Sequence, residues 1–443
     1  MTRDSDPQAD VPALPLAHRK SAQRQRLLAG MTELAARDGY ENVTIEHVSH
    51  LTGISQATFH KHFRNEESCF LDALICAQES VHDEVQRAVN GAPPEHAAMA
   101  TVAALVRFAY AQPELARLAM NESLAAGPPA RGARDTGLTA LAHLIEERQC
   151  WADPDTALPD IGVRALLGGV TRMLATRLRR GQEIDPSDLS EALATWIDSY
   201  GCPARQHRWK TLGEKTPRKR STTVAALLVA PESSNSRAGT PKEQWSAICR
   251  QRILLAAADI ATRNGYLDTT VADITQKAGV EEQEFHALFA DRHEVFAAVH
   301  EFFFQHLLAV TASAYFAGEN WPERIWSAGE AFTEVFEQNP TLAYIGFVET
   351  HAGGPLAVER LEQSTEAFTI FLREGYEHAS ASPPSETALE AIAATNTELA
   401  YAQVQQASPR HMGNLLPRVT QLVLAPFLGL AATDEFIERK LQA

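Results

Sequence analysis

Two segments of this chain, 226 residues apart, align without a gap. Residues 24–40 read RQRLLAGMTELAARDGY and residues 250–266 read RQRILLAAADIATRNGY. The match continues through Thr44 and Thr270, Gly53 and Gly279, Phe59-His60 and Phe285-His286, Phe63 and Phe289, and ends at Phe70 and Phe296; 14 of 47 positions are identical. Solenoid repeats recur every ~20–50 residues, so this longer period means a duplicated domain-sized unit. A fainter echo, ALLGGVTRMLATRLRRGQ at 165–182 and AIAATNTELAYAQVQQAS at 391–408, keeps the same offset and suggests that the copied unit extends well beyond its head.

The 443 residues allow two to four domains. No stretch offers about 18 uncharged apolar residues in a row, so no membrane partner is expected. The opening MTRDSDPQADVP has no apolar run behind a basic tip and reads as a disordered leader over residues 1–18, not a signal peptide. Five scattered cysteines, an odd number, form no disulfide framework, and a reducing cytoplasm is the expected setting. Residues 203–244 hold prolines, serines and the basic run TPRKRSTT, a linker by composition. Within it VAALLVA, at 224–230, fits either a short strand or a helix. The basic run Arg218-Lys219-Arg220 is a solvated linker or a contact for flanking phosphates.

Each head reads as four helices. In the first, Leu27, Leu28, Met31, Leu34 and Ala35 share one face, and Gly39 stops the helix. Thr44 opens a short helix with Ile45, Val48 and Leu51 inward, which Gly53 ends. Ser55 caps a third helix, whose Phe59 and Phe63 face the core. Asn65 caps a fourth. In the second head Thr270 and Asp273 have the spacing of a capping box. Helix, glycine turn, helix is the helix-turn-helix arrangement, whose later helix enters the major groove. Its first turn and outer face offer Ser55, Gln56, Ala57, Thr58, His60, Lys61 and His62, small, neutral or basic groups suited to phosphates and base edges. Thr44 and Arg24 complete the expected DNA-binding set.

TIEHVSHLTGISQATFHKHFRNEESCF resembles the DNA-binding domain of the TetR family of bacterial transcriptional regulators. Thr44, Gly53, Ser55, Thr58, His62 and Phe63 match the family pattern as they stand. His60 replaces the usual tyrosine, Glu66 a frequent lysine, and Ser49 and Leu51-Thr52 the usual small packing residues. The resemblance implies an all-α fold of two tandem TetR-like units, each a helix-turn-helix head plus a helical ligand-binding and dimerisation body. The expected bounds are 19–72 and 73–202 for unit one, 245–298 and 299–443 for unit two. It also implies a sequence-specific regulator of operator DNA, a repressor released by a small-molecule effector. The family's last two long body helices usually build a four-helix dimer interface, so a homodimer with two active heads is expected. Pairing of units within or between chains stays open, as does a protein-binding scaffold without specific DNA binding.

The two heads differ in charge. Residues 19–64 carry seven Arg/Lys and four Asp/Glu, a balance of +3; residues 245–290 carry four and six, a balance of −2. Glu281, Glu282 and Glu284 stand where the first head has Ser55, Gln56 and Thr58, and Ala287 and Leu288 replace Lys61 and His62. These acids suit a helix N-terminus but repel phosphates, so the second head is expected to keep its fold and lose DNA affinity. Chain-wide net charge of −16 hides this contrast.

No Gly-rich phosphate loop, nucleophile elbow or spaced metal ligands are present, so neither an enzyme nor a cofactor is expected. His60 and His62, two apart on a helix with His47 and His50 upstream, are badly spaced for joint ligation. Between Phe302 and Phe347, helical spacing explains most of Trp321, Trp326, Phe332, Phe336, Tyr344 and Phe347 as core, and some can also form the wall of a pocket for an apolar or aromatic effector.

Overall fold

The computed structural model describes residues 16–152, 162–182, 185–200, 241–379, 383–406 and 409–442. Every regular element among them is helical. The first helix, α1 (Leu16–Asp38), begins inside the segment expected to be a leader. Most of the expected linker, VAALLVA and the basic run included, lies outside the described residues; its last residues open the next helix, at Lys242.

Head one contains α1, α2 (Ile45–Thr52), α3 (Gln56–Phe59) and the start of α4 (Glu66–Gly91). Leu27, Leu28, Met31, Leu34 and Ala35 are buried together with Phe59, Phe63 and Phe70. Thr44 caps α2 by accepting the His47 N–H, and Asn65 with Ser68 forms a capping box on α4. Gly53 sits at φ +63°, the left-handed conformation that glycine reaches without a Cβ clash. One inward assignment is corrected. Leu51 is exposed, and Thr52, four residues after buried Val48, takes the inner face. Its hydroxyl donates to the Val48 carbonyl, which satisfies the buried polar atom, and its methyl fills the space a side chain on Gly30 would need.

In sequence order after the linker come α11 (Lys242–Asn264), α12 (Val271–Ala278), α13 (Glu282–His286) and α14 (Arg292–Phe316). Both bounds of α12, and the first residues of α13 and α14, equal those of α2, α3 and α4 plus 226. Thr270 and Asp273 form the expected capping box, and Gly279 repeats the +63° turn. By length and composition α14 could cross a membrane. Here Val295, Phe296, Phe303, Leu307 and Tyr315 bury it in protein instead.

Body one is built from α4, α5 (Ala97–Ala111), α6 (Pro113–Arg117), α7 (Ser123–Ala125), α8 (Gly127–Ala152), α9 (Val163–Arg180) and α10 (Pro186–Asp198). Body two is built from α14, α15 (Trp321–Gln338), α16 (Pro340–Tyr344), α17 (Gly354–Ala367), α18 (Ile370–Arg373), α19 (Glu386–Gln406), α20 (Leu416–Leu428) and α21 (Leu430–Gln442). A π-turn recurs in both, at Leu118–Glu122 and Ile345–Glu349. Each ends in a buried glutamate that ties body to head: Glu122 accepts the Tyr40 N–H at 2.9 Å, and Glu349 the Tyr266 N–H at 2.8 Å.

The two bodies pack on each other within the one chain. Helices α9 and α19, which occupy corresponding places in their units, make the most extensive helix contact among the described residues. Glycines permit that approach: a Cβ on Gly168 would strike Glu398, and one on Gly169 would strike Thr395. From α10, Trp196 donates to the Tyr200 hydroxyl, which donates at 2.7 Å to the Leu422 carbonyl on α20. Apolar residues of both bodies join in one continuous core.

Candidate functional site

The expected DNA-binding residues 55–62 lie along α3 and the turns after it, at the surface of head one. Regular α-helix covers one turn, Gln56–Phe59, and tight turns continue it through His62, shorter than the sequence suggested. Burial of Phe59 and Phe63 fixes the inner side, leaving Ser55, Gln56, Ala57, His60 and Lys61 exposed and Thr58 and His62 half-buried. Ser55 accepts the Thr58 N–H at 3.3 Å and donates to the Thr58 hydroxyl at 3.0 Å, so capping already orders both side chains. Thr44 is exposed at the start of α2.

Arg24 is placed differently from the rest. It pairs with Asp72, and its guanidinium lies 5.5 Å from the centre of the Phe63 ring. In head two Arg250 lies likewise 4.7 Å from the Phe289 ring. The contact of this arginine with the phenylalanine ring thus recurs in both heads.

The corresponding surface of head two is occupied by acids with structural partners. Glu284 accepts the Glu281 N–H at 3.4 Å and the Trp245 indole N–H at 2.6 Å, bracing α13 against α11. Glu281 and Glu282 are exposed, and Glu282 lies 3.8 Å from His286.

Between the bodies lies a buried charge cluster that sequence reading missed. Glu398 accepts two bonds from Arg134, at 2.9 and 3.1 Å, and one from Arg172 Nε at 2.7 Å. All three side chains are at most 8% exposed. Burial alone would raise the Glu398 carboxyl, but the two guanidinium groups outweigh it and hold the group at about 2. Arg131 and Glu349 form a second buried pair at 2.9 Å, so the glutamate that holds head two also binds body one. The available signal was that Arg172 and Glu398 stand at equivalent repeat positions, 226 apart.

Body two encloses a cavity of about 140 Å³, lined among others by Phe303, Phe304, Phe332, Phe336, Phe347 and Phe368. Of the aromatics singled out in the sequence, Trp321 and Trp326 are core, whereas Phe332, Phe336 and Phe347 are both buried or half-buried and in the cavity wall.

Residues 27–73 match the family model described as bacterial regulatory proteins, tetR family. The first head is therefore a tetR-type DNA-binding domain on an all-helical chain. Among solved structures, the fatty acid degradation regulator FadR from Bacillus halodurans is 14% identical over 40% of this chain and 95% of its own, with TM-score 0.36. FadR from Bacillus subtilis, solved with stearoyl-CoA, is 13% identical over 39% of this chain and 96% of its own, with TM-score 0.35. A tetR-family regulatory protein from Rhodococcus RHA1 is 20% identical over 42% of this chain and 98% of its own, with TM-score 0.34. No curated protein matches the chain.

Proposed function

We propose that this chain is a sequence-specific transcriptional regulator that reads duplex DNA through its first head alone. The observation that carries this reading is the contrast between equivalent surfaces: Ser55, Gln56, Ala57, His60 and Lys61 stand exposed on one, and Glu281 and Glu282 on the other. DNA affinity rests largely on phosphate neutralisation, so a surface with lysine and no acid binds where its acidic counterpart repels. An electrophoretic shift of the DNA upstream of its own gene, at low salt, tests the reading. Failure to shift any such fragment specifically would leave the protein-binding scaffold as the better account.

The two units derive from a tandem duplication, and the chain acts as its own dimer. The equal spacing of α2–α4 and α12–α14 supports the duplication. The α9–α19 pairing uses the helices through which the resemblance implies chain-to-chain dimerisation. One chain then presents one competent head and reads one half-site. Two-fold operators would recruit two chains side by side, each with its own paired bodies. The expected homodimer stands beside this reading, and solution mass separates them: two chains without DNA would favour the homodimer.

Control comes from an apolar or aromatic effector in body two, in the repressor mode that the family resemblance suggests. A ligand there has a physical route to the DNA. The π-turn Ile345–Glu349 lines the cavity through Gly346 and Phe347 and holds head two and body one through Glu349. A ligand that favours one arrangement of that turn shifts the balance between arrangements of the heads. The thiols of Cys69 and Cys76, which form no disulfide, fit a reducing cytoplasm.

A further inference from the structure

The cavity of body two has an apolar wall broken at three places. His300, Thr311 and Asn396 line it, and His300 Nδ1, Thr311 Oγ1 and Asn396 Oδ1 are sealed from solvent without a hydrogen-bond partner. His300 is 6% and Thr311 3% exposed. The other hydroxyl side chains of the wall are already satisfied. Thr333, Ser364 and Thr397 donate to backbone carbonyls of their own helices, and Thr365 donates to Leu361. Buried polar atoms without partners are costly and rare, and a cluster of them in one cavity wall marks groups that wait for a partner.

The equivalent positions of unit one give an internal control. Counting back 226 residues from His300, Thr311 and Asn396 leads to Leu74, Val85 and Val170. All three are 0% exposed and belong to the apolar core. The fold therefore accommodates aliphatic side chains at all three places, and packing alone does not require polar ones in unit two.

We propose that this cavity takes an uncharged, largely aromatic molecule carrying hydroxyl or carbonyl groups, held by hydrogen bonds to His300, Thr311 and Asn396. This rests on the effector reading above and names the ligand chemistry of that site. The phenylalanines supply flat apolar contact. Among the described residues no Asp, Glu, Lys or Arg lines the cavity, so a charged group buried there would lack a counter-ion. Burial, helped by the positive charge of Arg360, pushes His300 down to about 4, so it meets the ligand as a neutral imidazole that accepts through one nitrogen and donates through the other. The three-residue pattern also confines the ligand to one site per chain.

Three matched probes test this on the full-length protein by calorimetric titration at neutral pH: 2-naphthol, naphthalene and 2-naphthoate. The expected order is 2-naphthol tightest, naphthalene about tenfold or more weaker for want of hydrogen bonds, and 2-naphthoate weakest. The triple variant His300→Leu, Thr311→Val, Asn396→Val copies unit one and is expected to stay folded, with a melting temperature at or above that of the parent. It is expected to bind 2-naphthol and naphthalene equally. Equal binding by the parent, a preference that survives in the triple variant, or no binding of any probe would overturn the proposal. Operator binding is measured alongside with each probe. A probe that binds in the expected order yet leaves the DNA shift unchanged supports the site and removes only the effector reading.

Discussion

Lys61 is the only Lys or Arg between Gln56 and Phe63, and it is exposed in the turn that follows α3. Its Nζ is a compact point charge on a flexible stem, suited to a phosphate whatever the base sequence. Lys61→Ala is thus expected to weaken binding to all DNA sequences alike and to lower the salt slope by about one. Gln56→Ala should instead narrow the gap between specific and non-specific affinity. Anisotropy titrations over a salt series, on operator and scrambled duplexes, separate the two; an unchanged slope for Lys61→Ala would put that side chain away from DNA. Single residues also mark where sequence reading stops. Ser55 and Thr44 could be named as caps because capping is local chemistry. Arg24 reads in the sequence as a DNA contact, and its contacts with Asp72 and Phe63 are not legible there, because those partners lie 48 and 39 residues on.

At the scale of elements, α3 and α13 are one design with two surfaces. Phe59 and Phe285 are both fully buried, so the core sides match while the outer sides differ in charge. The fourfold variant Glu281→Ser, Glu282→Gln, Glu284→Thr, Ala287→Lys makes head two more positive by four, from three acids lost and one lysine gained. In the intact chain it should add non-specific DNA affinity and steepen the salt dependence. Glu284→Thr alone is expected to lose about 1 kcal/mol of stability, because it removes the acceptor of the Trp245 indole N–H. A fourfold variant that folds and shows the parent's salt slope would mean that head two cannot reach DNA whatever its charge.

For the whole molecule the decisive feature is a pair of opposite charges at equivalent positions. Arg172 and Glu398 meet across the contact between α9 and α19. Because the two residues are equivalent and meet each other, they lie near the axis of a two-fold pairing; two copies of unit one paired in this way would bring Arg172 towards Arg172, and two copies of unit two Glu398 towards Glu398. The cluster therefore favours pairing of unlike units. Arg172→Glu or Glu398→Arg alone should cost about 3–5 kcal/mol by leaving like charges buried together. The double exchange should recover part of that loss in denaturant unfolding, and a double variant no better than the worse single one would refute direct pairing. Acid gives a second check. The Glu398 carboxyl is lowered from 4.5 to about 2, so its contribution is complete above 4.5 and disappears as pH falls towards 2. The parent should lose stability across that window, and Glu398→Gln, already destabilised, should lose less there.

What the sequence determined by itself was the local and periodic part. It contained the repeat at 226, the all-helical class, the caps at Thr44, Ser55, Asn65 and Thr270, the inward phenylalanines, and the charge contrast between the heads. These follow from helical period and from hydrogen bonds that close within a few residues. Only the tertiary structure decided that Leu51 faces outward while Thr52 is buried, that Glu284 braces α13 through Trp245, and that α9 packs on α19. It alone brought His300, Thr311 and Asn396 into one cavity wall. Each of these depends on partners dozens to hundreds of residues away. The residues at such a contact carry no label of their own until the two packed surfaces are known.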